Sequence, residues 1–398
     1  MIPNLDSQLG ISVYSTKFHG IGGKIRVFPE DFEVSERISE KTLKSITQEE
    51  GYAVYKLKKK KIDTNHALSN IFRKKGIRLK SLGLKDASAV TEQFVCSGNK
   101  GKAIEDFSSE KFSLTKVGFV KKPLSKKDMI GNHFKIKISE CSEGLSSFNE
   151  FNNVLNFYGY QRFGSKRPVT HLIGKAIVQK NFQKAVELIL SFTSDYDSKE
   201  NNEIREKLGD KHNFKQYFEK IPTQMDIERI VVKDMIENDD EFSAVRAIPL
   251  SLRRFYIQAY QSYIFNKSLS ASFSDGENLF GAESGDVCYD SKGIIGKFIK
   301  GMDQNLAVPF VGYSYYKKTR FHPQISKVLD EEEISPKDFF IKEMQEVSSE
   351  GGFRQAAIQC SDYSSQDNII EFTLSRGSFA TILLREIMKP DDPILAGY

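Results

Sequence analysis

Residues 79–98 read LKSLGLKDASAVTEQFVCSG, and this stretch contains a break between two strand patterns. The apolar–polar alternation of Leu79–Leu84 predicts a strand, and Gly83 would let the backbone approach another group closely. A second alternation over Ala89–Ser97 predicts another strand, whose successive side chains face opposite sides. Asp86 therefore falls on the loop between two rigid elements, where catalytic groups are often placed. We expect Asp86 to be a functional carboxylate.

The composition is typical of a globular protein with more than one domain. The 398 residues exceed one ordinary core, so about two domains are expected. No run of about 18 apolar residues occurs, which predicts no membrane span, and the N-terminus lacks the apolar segment of a secretory signal. The four cysteines and six histidines show no ligand spacing. We therefore expect reduced thiols, no metal and a cytoplasmic location.

The distribution of charge is more informative than the net charge of +5. Residues 54–80 contain ten Lys or Arg and one acid, and residues 116–127 form a second basic stretch, whereas acids are concentrated in 200–241 and 330–333. Such asymmetry predicts a positive face that attracts a polyanion such as RNA. A solvated lysine face without a partner explains the same pattern, and the charges alone leave both interpretations open.

The remaining patterns predict a mixture of strands and helices. Capping residues at Asp63 or Thr64 and a stop at Gly76 predict one helix particularly clearly. Predicted strands and hairpins cover 24–36 (strand, turn, strand), 51–57, 131–138, 279–323 and 369–374. Predicted helices cover 148–157, 171–190 (two short helices interrupted near Asn181), much of 195–241, 253–269 and 379–388.

Five motifs, in order along the chain, carry a family resemblance. The segment G-L-K-D-A-S-A-V-T-E-Q at 83–93 resembles the central motif of the TruD family of tRNA pseudouridine synthases, in which the Asp is the catalytic carboxylate. The resemblance therefore points to Asp86. The other matches are P-E-D-F-x-V-x-E at 29–36, Asn-x-Phe at 132–134, N-F-Y-G-Y-Q-R-F-G at 156–164, and G-S-F-A-T at 377–381, with Phe379 in place of the usual Tyr.

The resemblance implies roles for residues around Asp86. Asn132 would help to hold the catalytic carboxylate, and Phe134 would stack on the target base, although a strand-start Phe is also a common core residue. From the sequence itself, Lys85 is a candidate electrostatic partner of the adjacent Asp86, although neighbouring strand residues point apart, and Gln93 is a candidate to hold the loop. The family usually has Lys at the position of Arg26, four residues before Glu30. The predicted substrate-binding residues are Phe134, Asn132, Arg26, Glu30, Lys85, Gln93, Gln161 and Arg162, where Arg162 either meets a phosphate or supports the loop.

The resemblance also implies the fold and the reaction. The expected class is α+β, with a pseudouridine-synthase-type catalytic domain built on a mixed or antiparallel sheet and a TruD-type α/β insertion. The catalytic domain would comprise 1–158 and 351–398, and the insertion 159–350. The expected activity is isomerisation of a tRNA uridine, usually uridine 13 in the D arm, without a metal or small-molecule cofactor. The expected partner is tRNA, with no membrane contact; a monomer would suffice, but the oligomeric state is left open.

Two alternatives remain at this point, and a third is excluded. The enzyme could act on another uridine or another RNA, or the chain could be a non-catalytic RNA-binding module with the same basic cleft. A nucleotide-dependent enzyme would require a phosphate loop, but HGIGG at 19–23 is followed by no helix pattern, and the sequence contains no G-x-x-x-x-G-K-[ST].

Overall fold

Two β-sheets and a set of helices make up the computed structural model, which describes residues 1–83, 85, 89–142 and 144–398. Asp86 and Leu84, which carried two of the predictions, lie outside the described residues. The strands are β1 Phe32–Ile38, β2 Tyr52–Lys59, β3 Leu79–Ser81, β4 Val90–Ser97, β5 Phe107–Ser108, β6 Phe112–Val120, β7 Met129–Lys137, β8 Val287–Asp290, β9 Ile295–Lys297, β10 Gln304–Phe310, β11 Gly352–Gln355, β12 Cys360–Gln366 and β13 Ile369–Ser375.

The larger sheet has nine described strands and combines the two ends of the chain. Its order is β12-β13-β7-β1-β4-β2-β6-β5, with β3 paired beside β4. Among the described strands, β1 and β4 form the one parallel pair, and the other neighbours are antiparallel. Because parallel strands start at the same edge, the segments that lead into β1 and β4 meet there. The predicted α+β class with a mixed sheet is confirmed.

The sheet divides at its centre. The ladder between β1 and β4 ends at the pair Ser35 and Glu92, and from Val95 onward β4 pairs with β3 instead. β3 ends and β4 begins beside this division. Backbone groups that leave a ladder inside a protein need other partners, so the division is where polar side chains are required.

One face of the sheet carries two separate cores. On the half formed by β2, β4 and β6, Tyr55, Leu57 and Val95 pack with Ala67 and Ile71 of a covering helix, residues 64–75. On the other half, the core of β1, β7 and β13 includes Phe134 and Phe372 together with the helix of residues 380–388. The face between these two cores is polar, and it lies over the division in the sheet.

The helices lie mainly between the two segments that build the large sheet. In the same region β8–β11 form a four-stranded sheet of order β11-β10-β8-β9. Because β11 pairs with β10, the chain passes from the small sheet to the large one between residues 355 and 360. The predicted limits of the insertion, residues 159–350, stay a prediction. The helices are α1 Asn4–Gln8, α2 Glu40–Lys44, α3 Thr64–Lys75, α4 Thr170–Val178, α5 Phe182–Ser191, α6 Lys199–Leu208, α7 Phe214–Tyr217, α8 Asp226–Asn238, α9 Glu241–Ala247, α10 Leu250–Ser274, α11 His322–Glu331 and α12 Ala380–Met388, beside seven short 3₁₀ turns among the described residues.

Most predicted elements are present, and two are wrong. α3 has Asp63 as its N-cap and the left-handed Gly76 at its end, as the capping pattern predicted. Residues 148–157 do not form a helix, because Asn153 closes a turn on Glu150 and residues 154–156 bond residues 356–358. Long-range pairing here overrides local propensity. The first half of the predicted 24–36 hairpin is also missing, since Arg26 has a φ of 58° that interrupts a strand.

Among the described residues, none of the helices combines the length and hydropathy that a membrane crossing requires. Within the same residues, no three His, Cys, Asp or Glu side chains are grouped closely enough to hold a metal ion.

Burial of His171 in α4 predicts a pH dependence of stability. The residue is 3% exposed and its ring stacks on Tyr263 at 5.1 Å. Burial lowers the pKa of His171 from 6.5 to about 4. Between pH 6.5 and pH 4 the unfolded chain therefore binds a proton at His171 that the folded chain does not bind. The contribution of His171 to the free energy of unfolding is fully present above pH 6.5 and is lost as the pH falls toward 4. The loss from this one group is about 3 kcal/mol.

The measurement is urea unfolding of wild type and His171→Phe at several pH values. Carboxylates titrate in both proteins, so the difference between the two curves isolates His171. We expect the wild-type free energy of unfolding to fall more steeply below pH 6.5. Parallel curves would contradict the assignment.

Candidate active site

A buried ion pair lies at the division of the sheet. Lys85 Nζ is 2.7 Å from Glu36 Oε1, and the two side chains are only 6% and 0% exposed. The other oxygen of Glu36 accepts the backbone N–H of Phe94 at 2.9 Å, where the ladder between β1 and β4 has ended. Gly83 lies against the same pair, since a Cβ there would be 3.4 Å from Lys85 Nζ. The carboxylate of Glu36 therefore replaces the missing strand contact and fixes Lys85.

A second layer of hydrogen bonds fixes the backbone around Lys85. Gln93 donates from Nε2 to the carbonyl of Gly83 at 3.0 Å and accepts from the Thr64 hydroxyl at 2.9 Å. The same hydroxyl accepts the backbone N–H of Lys85 at 3.1 Å, and Lys59 Nζ donates to the Lys85 carbonyl at 3.2 Å. Buried and satisfied polar networks of this kind hold one conformation strongly.

These contacts bracket the predicted catalytic position. Asp86 is outside the described residues, but Lys85 directly before it is held on three sides. On the other side, Ala89 is fully buried and Val90 pairs with Glu33 of β1. The described residues on either side of Asp86 are therefore held in place.

Asn132 and Phe134 lie on the same face of the sheet, two strands away from β4. Asn132 pairs with Glu36 across β1 and with Leu374 across β13, and its buried Oδ1 has no hydrogen-bond partner among the described residues. Phe134 is 7% exposed. Its ring stacks on Phe372 at 5.3 Å and meets the edge of Phe32 at 6.2 Å. The structure therefore gives Phe134 core packing on one face of its ring.

Arg26 and Glu30 are placed differently from each other. The Arg26 guanidinium lies 4.1 Å from the centre of the Phe32 ring and donates to the Gly397 carbonyl at 2.7 Å, which extends the aromatic row of Phe134. Glu30 is at the surface, where a hydrogen bond from Lys60 lowers the pKa of its carboxyl. The structure does not bring Glu30 into the network around Lys85.

Gln161 and Arg162 lie on a short turn of 3₁₀ helix, Tyr160–Arg162. Gln161 is exposed. The guanidinium of Arg162 lies 5.5 Å from the centre of the Tyr158 ring and 5.2 Å from that of Phe255. Neither side chain contacts the network around Lys85 among the described residues.

Comparison with known proteins identifies the family. A model of the family described as tRNA pseudouridine synthase D (TruD) matches residues 8–387. The chain belongs to the TruD family. Its members are pseudouridine synthases, which are isomerases that act on RNA, and this chain is an enzyme of that class. The family resemblance drawn from the motifs is confirmed.

Relatives of similar length support the assignment. A protein of Methanosarcina acetivorans named "Probable tRNA pseudouridine synthase D" is 30% identical over 98% of both chains. A protein of Archaeoglobus fulgidus with the same name is 31% identical over 97% of this chain and 100% of its own. A crystal structure of a TruD protein from Methanosarcina mazei superposes with a TM-score of 0.79 and 28% identity, covering 99% of each chain.

Three residues of the network around Lys85 were not predicted as site residues, namely Glu36, Lys59 and Thr64. The signal for Glu36 was present, because it follows Phe32 and Val34 at alternate positions of a strand and must share their buried face. Lys59 likewise follows Tyr55 and Leu57, yet it was hidden in a run of lysines. It is 1% exposed and is the buried member of a basic stretch that is otherwise at least partly exposed.

Proposed function

We propose that this TruD protein converts a uridine of tRNA to pseudouridine, at position 13 of the D arm, with Asp86 as the essential carboxylate. The observation that supports Asp86 most is the buried network that fixes Gly83 and Lys85 immediately before it. Catalytic groups must be held within a fraction of an ångström, and such networks achieve this. Membership in the TruD family supports the reaction class.

The reaction breaks the bond between C1′ and N1 of uridine and rejoins the base through C5, whose proton is lost. A carboxylate can assist in two ways: by attacking C1′ as a nucleophile or by removing the proton at C2′ as a base. Both remain open for Asp86. The charge of Lys85 is compensated by Glu36, so in this mechanism Lys85 serves chiefly to position the loop.

The target base must leave its stack before it can react, at a cost of a few kcal/mol. We propose that Phe134, whose opposite face is supported by Phe372, packs against the displaced base. Asn132 lies beside Glu36, and its Oδ1, which has no hydrogen-bond partner among the described residues, would accept the N3–H of the displaced uracil. The exposed lysines of residues 56–80 would then meet the phosphates.

Release of tritium tests this proposal, since the new bond to C5 displaces the hydrogen there. We expect the protein to release tritium from tRNA labelled at C5 of uridine, with no added metal or cofactor, and to approach one equivalent per tRNA. Binding of tRNA without release would contradict the proposal and favour an RNA-binding module. Release only from other RNAs would keep the reaction and change the substrate.

A further inference from the structure

Two arginines flank one tyrosine at the far end of β13. Arg354 of β11 has its guanidinium carbon 4.0 Å from the centre of the Tyr158 ring, and that of Arg162 lies 5.5 Å from the same centre. The ring of Phe379, just before α12, is 5.7 Å from Arg354. Both arginines are partly exposed. We call Arg162, Arg354, Tyr158 and residues 378–381 the arginine pocket.

Neither arginine has a carboxylate partner among the described residues. Arg229 shares this state, but five other arginines that are buried or partly buried each have an acid within salt-bridge distance. They are Arg167, Arg205, Arg253, Arg320 and Arg385. Burial lowers the pKa of both Arg162 and Arg354. A charge withdrawn from water without a counter-charge costs free energy, so this pair favours an anion from outside.

The arginines also have donors to spare. Arg354 uses Nε and one terminal nitrogen to bond Asn156 and the carbonyl of Phe157, and its other terminal nitrogen faces Gly377, 3.9 Å from where a Cβ would stand. The guanidinium of Arg162 makes no hydrogen bond within the described residues. Such forked donors match the oxygens of a phosphate.

The first turn of α12 completes the arginine pocket. Gly159 packs against it so closely that a Cβ would lie 3.0 Å from Thr381 Oγ1 and 3.2 Å from the Phe379 ring. Thr381 is 3% exposed, and neither its hydroxyl nor that of Ser378 has a partner among the described residues. No side chain caps the helix. Unpaired hydroxyls and free N–H groups at a helix start favour an anion.

We propose that the arginine pocket binds a phosphate of the tRNA backbone close to the uridine that reacts. This rests on the proposed function, since it presumes that RNA occupies the face carrying Asn132. Leu374 pairs with Asn132, and Gly377 beside Arg354 follows three residues later, past the end of β13 at Ser375, so their Cα atoms are at most about 10 Å apart. A phosphate one or two nucleotides from the displaced uridine fits that distance.

The test measures tRNA binding by wild type and Arg162→Gln at several salt concentrations. Each phosphate contact contributes about 0.9 to the slope of log K against log salt. We expect Arg162→Gln to reduce the magnitude of this negative slope by about 0.9 and to weaken tRNA binding about tenfold at moderate salt. Arg162→Lys, which keeps the charge, should retain the slope and recover part of the affinity. Thermal unfolding of each variant verifies that it folds.

Arg229→Gln is the matched control. Arg229 is also partly exposed, lies 4.9 Å from the centre of the Phe218 ring and bonds only backbone carbonyls among the described residues, but it belongs to the helical region. It should bind tRNA like wild type. An unchanged slope in Arg162→Gln, or an equal loss in Arg229→Gln, would overturn the inference. A pocket that binds only inorganic phosphate would also overturn the inference. In that case phosphate would raise the melting temperature of wild type but not of Arg162→Gln, and the salt slopes of tRNA binding would not differ between the two proteins.

Binding and turnover are read separately in these experiments. If wild type binds tRNA but releases no tritium, the proposed function fails while the salt slopes still test the pocket. If wild type isomerises uridine and the slopes do not differ, only the pocket is refuted.

Discussion

Asp86→Asn is expected to lose at least about 10³-fold in turnover on tRNA while it still binds the RNA. Asn has nearly the same shape but can neither attack C1′ nor accept a proton from C2′, so both chemical routes are lost together. Lys85 and Gly83, which precede it, keep their own contacts to Glu36 and Gln93. The measurement is single-turnover tritium release at saturating protein, with the dissociation constant determined in parallel.

Glu92→Gln serves as the control for this substitution. Glu92 is on β4, on the face of the sheet opposite to that of Gln93, and it pairs with Lys56 at the surface. The substitution Glu92→Gln removes a carboxylate that belongs neither to the network around Lys85 nor to the proposed catalytic group, so turnover should stay within about twofold of wild type. Full turnover by Asp86→Asn, or an equal loss in Glu92→Gln, would remove Asp86 from the mechanism.

Breaking the pair of Glu36 and Lys85 is expected to be the largest single loss of stability tested here. Removing one partner of a buried ion pair costs about 3–5 kcal/mol, because the other charge is left uncompensated. Glu36→Gln is the sharper choice, since its amide oxygen can still accept the Phe94 N–H. Urea unfolding should show this loss, and turnover should fall as well, because Lys85 no longer holds the chain before Asp86.

The double variant Glu36→Gln, Lys85→Met separates the cost of an unpaired buried charge from the loss of the contact that positions the chain before Asp86. With both charges removed, at least half of the lost stability should return, whereas turnover should stay low. Lys56→Met is the control on the same sheet. Its pair with Glu92 is 45% and 36% exposed, so its loss should cost under about 1 kcal/mol. Equal costs for Lys56→Met and Glu36→Gln would show that burial does not decide the effect.

Local patterns predicted α3 and the presence of β4 well, because capping residues and strand patterns depend on neighbours in the chain, although burial in β4 alternates only over Val90–Gln93 and is continuous from Phe94 to Ser97. They failed at residues 148–157, because the backbone of residues 154–156 is held by residues 356–358, some two hundred positions away. They failed again at Lys59, since a charge in a lysine run gives no sign of which member is buried.

The structure brings several of the motif residues together, but the motifs did not reveal how these residues are held. Lys85, Gln93, Asn132 and Phe134 all lie on one sheet face near the central division. That Glu36 would neutralise Lys85 depends on a parallel pair of strands separated by more than fifty residues, which no local pattern reveals. The same holds for Arg162, whose position opposite Arg354 follows from the meeting of distant segments around Tyr158.

The most direct measurement maps pseudouridine by site in total tRNA from a synthase-deficient host, after incubation with wild-type or Asp86→Ala protein. We predict one new pseudouridine, at position 13 of the D arm, with wild type and none with Asp86→Ala, although both bind the tRNA. Modification by both proteins would contradict the role of Asp86. Binding without modification by either would contradict the assignment of tRNA uridine as the substrate.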